Sequence, residues 1–213
     1  MADMYILGQT TSKSRLGNGV RVPVQGLRDG TIPVVDWVAA CAIEGKVFQA
    51  NHGTVTTPIT FIAYDADRPD FALDVPSGYA AFITKIQVYL EDAAGTDTEI
   101  IATTSDNLCG ASTSTALTEV SSRRNGGVSS GCSAYGTYTA NCTLPTNTLE
   151  FWRAGFPIAQ AAGVAANFEW KFSDGNPQLL IGTSSLQIHV SATTTQAAGY
   201  IKVSWVELQA SEI

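Results

Sequence analysis

The sequence predicts an all-β fold: an eight-stranded antiparallel jelly-roll sandwich with an extended N-terminal arm. Three observations carry this expectation. From Lys46 onward, apolar and β-branched residues alternate with polar ones at period two, and Gly, Pro, Asn and Asp clusters punctuate the runs. No stretch between successive runs has the period of a crossover helix, which favours antiparallel pairing. The 213-residue length suits one sandwich plus an appendage, and such a body buries a core without metal or disulfide support.

Residues 1–45 are read as an arm with a short helix, and 46–213 as the jelly-roll domain. Residues 1–32 (with GNGVRVPVQGLRDGTIP) keep no hydrophobic period and are expected to order only against a neighbour or the body. In PVVDWVAACAIEG, Asp36 is placed to cap a helix over Trp37 to Glu44, and Gly45 stands where a helix C′ glycine belongs. The eight strands are expected at 54–64, 70–75, 79–91, 98–104, 147–154, 167–173, 185–192 and 199–209. In 70–75, Phe71, Leu73 and Val75 share a face. In 79–91, Phe82, Thr84, Ile86, Val88 and Leu90 oppose Ile83, Lys85, Gln87 and Tyr89. In the last strand, Ile201, Val203 and Trp205 oppose Lys202, Ser204, Val206 and Leu208. Pro58 implies an edge or bulge in the first. Residues 105–146 read as a long polar loop insertion that holds three of the four cysteines.

Charge narrows the function classes. The net charge is −7, with only 15% charged residues. Within residues 1–30, Lys13, Arg15, Arg21 and Arg28 outnumber Asp3 and Asp29, so that stretch of the arm carries +2 and the remainder of the chain −9. Nucleic-acid binding needs far denser cations, so no nucleic-acid partner is expected. No run approaches a membrane span, and the start lacks the basic-then-apolar order of a signal peptide, so synthesis in a cytosol and no membrane partner are expected. The cysteines are too few and too irregular for a disulfide framework, and Cys109, Cys132 and Cys142 lack zinc spacing. A disulfide between two of these three would staple the insertion in an oxidising exterior, with the pair left open. Cys41, among Ala and Ile, reads as a small buried hydrophobe.

Catalytic signals are sparse, and neither an enzyme activity nor a cofactor is expected. The two histidines are His52, read as a solvated turn residue, and His189, read as a packed strand residue. No G-x-S-x-G elbow accompanies them. LGNGVRVPVQG lacks the third glycine and the Lys-Ser/Thr ending of a phosphate loop. Asp65, Asp67 and Asp70 crowd YDADRPD and are weak calcium candidates, without EF-hand spacing; the favoured reading is an acidic solvated loop beside Arg68. Trp152, Trp170 and Trp205 are expected in the core. Tyr135 and Tyr138, in the Gly/Ser-rich insertion, are the candidates for an exposed binding loop.

Two segments, EGKVFQANHGTVTTP after the glycine-rich basic arm and YDADRPDFALDVPSGYAAFITKIQVYLEDAAGTDTEI, resemble structural proteins of tailed bacteriophages. The likeness covers roughly residues 8–105 and, more loosely, the closing GYIKVSWVEL. It implies a single jelly roll behind an N-terminal arm in a virion component of decoration, vertex or tail-associated type. Such proteins are commonly homo-oligomeric, often trimeric. On that reading Lys13, Arg15, Arg21 and Arg28 belong to the arm that docks on the capsid or an adjacent subunit. The protein is then made in host cytoplasm and carried in the virion, with itself and other virion proteins as partners. The alternative from a different class is a carbohydrate- or receptor-binding sandwich that meets a host-surface glycan.

Overall fold

The computed structural model describes residues 5–7, 21–23, 37–92, 97–111, 113–123, 128–158, 165–192 and 195–213. Strands β1 (Tyr5–Leu7) and β2 (Arg21–Pro23) pair antiparallel by themselves. Of the four arm cations, Arg21 falls in β2, and Lys13, Arg15 and Arg28 lie outside the described residues, as does Asp36.

The remaining strands are β3 (Val47–His52), β4 (Ile59–Thr60), β5 (Phe71–Val75), β6 (Tyr79–Asp92), β7 (Thr98–Ser105), β8 (Thr115–Ala116), β9 (Val120–Ser121), β10 (Ser133–Gly136), β11 (Leu149–Phe156), β12 (Ala166–Lys171), β13 (Gln178–Ile181), β14 (Ser184–Ala192) and β15 (Ala198–Gln209). They build two antiparallel sheets, so the fold is an all-β sandwich. One sheet runs β11-β7-β14-β5-β10-β8. The other runs β12-β6-β15-β3-β9, with β13 also on β6 and β4 on β15. Between the sheets lie Phe71, Leu73, Val75, Ile100, Leu186, Ile188 and Val190 from one side and Phe48, Ile83, Ile86, Val88, Leu90, Ile201, Val203 and Trp205 from the other. Trp205 is fully buried and stacks on Phe48 at 6.1 Å; Trp170 is buried edge-on to Phe151, and Trp152 packs at the margin of the core.

Helix α1 (Trp37–Ile43) closes with Gly45 at φ 81°, where the Gly45 N–H donates to Ala42 and the Lys46 N–H to Cys41. This is the paired 5→2 and 6→1 closure that a C′ glycine permits. Cys41, Val38 and Ala42 lie on Val47, Phe82, Val206 and Leu208, which explains why β15 is apolar on both faces in its second half.

Three expectations are corrected. Residues 54–64 are not one strand: Gly53 takes φ 77°, Thr54 and Thr57 exchange backbone bonds in a tight turn, and Pro58 has no N–H to give, so only β4 forms. β4 adds only two residue pairs to β15, and the long ladder on that side is made by β3, upstream. In β6 the register against β15 slips between Ser204 and Trp205, where Thr84 is the extra residue and its hydroxyl donates to the Ser204 carbonyl at 2.9 Å. Past this bulge Ile83 faces the core and Phe82 faces α1, the reverse of simple alternation. Finally, 105–146 is not a bare loop. It contains β8, β9 and β10, and β10 adds Ala134 to the main core through pairing with β5. The same segment covers the outer face of β5, which is therefore buried on both sides.

Candidate functional site

The outer face of the seven-stranded sheet divides in two. Its lower half is the apolar bed of α1. In its upper half β12, β6, β15 and β3 present polar and aromatic residues in rows: Asn167 beside Tyr89 beside Tyr200, then Glu169, Gln87, Lys202 and Asn51, then Lys171, Lys85, Ser204 and Gln49. A cleft of about 480 Å³ opens here, lined among others by Asn51, Gln87, Tyr89, Asn167, Tyr200 and Lys202.

Two glycines shape it. A Cβ on Gly199 would stand 1.9 Å from the Tyr89 carbonyl oxygen, and one on Gly53 would press on the Gly199 carbonyl and Tyr200. Absence of a side chain at Gly199 thus lets β15 lie close beside β6, and Tyr89 and Tyr200 stack at 5.0 Å with their planes 21° apart. Glu169 anchors one rim: Lys85 and Lys171 pair with its carboxylate at 2.6 and 2.5 Å, and the Gln87 amide donates to it at 3.0 Å. Hydrogen bonds from Lys171 and then Lys85 hold that carboxyl below the usual glutamate range. Chemically, the cleft offers an apolar aromatic surface ringed by amide donors and acceptors and an ammonium group. Among the described residues, its lining holds no histidine, cysteine or carboxylate.

A second cleft, of about 530 Å³, lies on the outer face of the six-stranded sheet beside Tyr64, Glu99, Glu150 and Arg153. Arg153 there makes a bidentate contact with Glu150 and a third bond to Glu99, so its charge is already answered.

The residues singled out in the sequence are dispersed. Asp65, Asp67 and Asp70 do not form a calcium site. Both carboxylate oxygens of Asp70 accept backbone bonds, from Ile62 and Val190, inside the sheet, and Asp65 caps the Asp67 N–H. Burial, only partly offset by those two N–H groups, lifts the Asp70 carboxyl to about 7. Among the described residues no group of three His, Cys, Asp or Glu could hold a metal ion. Tyr138 is not on an exposed loop: it is 3% exposed, and its hydroxyl donates to the Gly110 carbonyl, while Tyr135 is half-buried in β10 against the same cluster. Tyr135 stands opposite Ala72 in the β10–β5 pairing, and Tyr138, beyond the end of β10, joins Ala72 and Cys109 in a small core of its own.

His52 is also not solvated. It ends β3, its Nδ1–H donates to the Asp70 carbonyl at 2.7 Å, and its Nε2 accepts from Thr137 Oγ1 at 2.8 Å. The carbonyl can only accept, which assigns the tautomer. Burial lowers its pKa, partly offset by the bond to Asp70. Gly136 makes room for the ring, since a Cβ there would lie 2.6 Å from it. This is a structural strut between the two sheets and the insertion.

Reasoning from sequence missed Tyr89 and Tyr200 as a pair. The available signal was that β6 and β15 each carry an outward row of polar and aromatic residues, a pattern that a merely solvated sheet face does not need. No family model, curated protein or solved structure matches this chain.

Proposed function

We propose that this chain is a viral structural protein of tailed-phage type, built on a jelly roll and assembling as a homo-oligomer on the particle. The reading rests most on an apolar patch at the foot of the body. Leu179 and Ile181 of edge strand β13 are 43% and 53% exposed, beside Trp37, which is 46% exposed and lies edge-on to Phe82. An exposed apolar edge strand is a contact waiting for a partner. It adjoins α1, which follows residues 1–36 in the chain.

The jelly-roll reading is supported by the nesting of the ladders. β3 pairs with β15, β5 with β14, β6 with β12 and β7 with β11, the order of one long antiparallel ribbon rolled into two sheets. Sedimentation of the full chain tests assembly. A stable trimer that a Leu179→Glu/Ile181→Glu variant reduces to folded monomer is the expected result. A monomeric full chain, or an oligomer indifferent to that variant, would overturn the proposal.

One observation favours a second reading, a carbohydrate-binding sandwich: the Tyr89–Tyr200 cleft with its ring of amides. Glycan-array binding that Tyr200→Ala abolishes without altering assembly would support it, and no binding by the intact chain would end it.

A further inference from the structure

From the juxtaposition of their side chains, we propose that Cys109 and Cys142 form a disulfide under oxidising conditions, closing the segment between them against the outer face of β5. The four cysteines occupy separate environments. Cys41 belongs to the cluster under α1 and Cys132 to the main core, whereas Cys109 and Cys142 pack together with Ala72, Tyr135 and Tyr138. Only these two have thiols in direct interaction with each other.

The backbone holds both partners in place. Asp74 Oδ1 accepts from the Cys109 N–H and Oδ2 from the Gly110 N–H, each at 2.8 Å. On the other side of the pair, the Cys142 N–H donates to the Asp67 carbonyl at 2.8 Å, and the Thr143 N–H donates to the Cys109 carbonyl at 3.1 Å. The two segments are thus backbone neighbours, a separation compatible with the short Cα–Cα span a disulfide needs.

The asymmetry of the pair gives the order of attack. Cys142 is half-buried and Cys109 fully buried. The hydrogen bond from Cys109 lowers the Cys142 pKa, whereas that bond and burial raise the Cys109 pKa. With a small-molecule disulfide as oxidant, the Cys142 thiolate attacks one sulfur, breaks the oxidant's S–S bond and expels one thiolate, leaving a mixed disulfide. Cys109 then loses its proton and attacks the Cys142 sulfur, expelling the second thiolate. Two protein thiols are oxidised, the oxidant takes two electrons, and the two protons end on two small thiols.

The test is incubation of the full chain with oxidised glutathione, followed by denaturation, alkylation and peptide mapping. The expected product keeps two alkylatable thiols, at Cys41 and Cys132, and yields one cross-linked peptide pair joining Cys109 to Cys142. In Cys109→Ser the expected product is a glutathione adduct on Cys142. In Cys142→Ser all three remaining cysteines stay alkylatable. Four free thiols after oxidation of the unaltered chain, or a cross-link involving Cys41 or Cys132, would overturn the proposal.

Discussion

At the scale of single residues, the buried ionisable groups set how stability responds to pH. His189 sits in β14 with its ring against Tyr64 at 5.1 Å, and burial pushes its pKa down to about 4, only partly opposed by Asp65. The folded chain therefore refuses a proton that the unfolded chain accepts below about 6.5. Its contribution is fully present above that value and is lost as pH falls toward 4. Asp70 acts in the opposite sense: its carboxyl is raised to about 7, so its contribution is present at low pH and fades as pH rises through 7. Subtracting the unfolding curves of His189→Gln from those of the unaltered chain cancels Asp70 and isolates the histidine. Urea unfolding at intervals from pH 7 to pH 4 is expected to show the unaltered chain losing up to about 3 kcal/mol relative to the variant. A pH-independent difference would mean that His189 is not buried in its neutral form.

At the scale of elements, side-chain carboxylates do the joining that β ladders cannot. Glu207 points inward from β15, is 8% exposed, and accepts from the Gly131 and Cys132 N–H groups and the Ser130 hydroxyl, which fastens the approach to β10. Glu207→Ala leaves those donors without an acceptor and is expected to cost about 2 kcal/mol or more. Amide exchange at Gly131 and Cys132 should quicken far more than exchange in β7. Uniform quickening would instead indicate global loss of stability.

These joints explain which elements could be read in the sequence. β5, β14 and most of β15 were legible because alternation survives in each, β7 because its run is rich in β-branched residues between turn signals, and α1 because Gly45 ends it. β8, β9 and β10 were not, since they are short and made mostly of Ser, Thr, Ala and Gly, and owe their pairing to β5 and β3 and to one another. The faces of β6 were misassigned below Thr84 because a bulge leaves no mark in local periodicity. The cleft was legible only in halves: the outward rows of β6 and β15 are visible in the sequence, but that Tyr89 lies beside Tyr200 follows from strand order, which is a property of the closed sheet.

At the scale of the molecule, closure depends on β15. It lies between β6 and β3 and sends Ile201, Val203 and Trp205 into the core and Val206 and Leu208 to α1. Its partner β3 lies far upstream, so the pairing requires a large loop to close before any contact rewards it. Without residues 198–209, β6 and β3 lose their shared neighbour, the core loses its largest side chain, and α1 loses half its bed. A chain ending at Ala197 is therefore expected to show no cooperative thermal transition and to bind hydrophobic dyes, whereas one ending at Gln209 should melt as the full chain does. In the full chain, the fluorescence change from Trp205 packing on Phe48 should coincide with the main refolding phase, on the order of milliseconds to seconds. If the chain ending at Ala197 still melted cooperatively, the body would not depend on the β3–β15–β6 ladder, and the β11-β7-β14-β5 sheet would have to carry the cooperative unit.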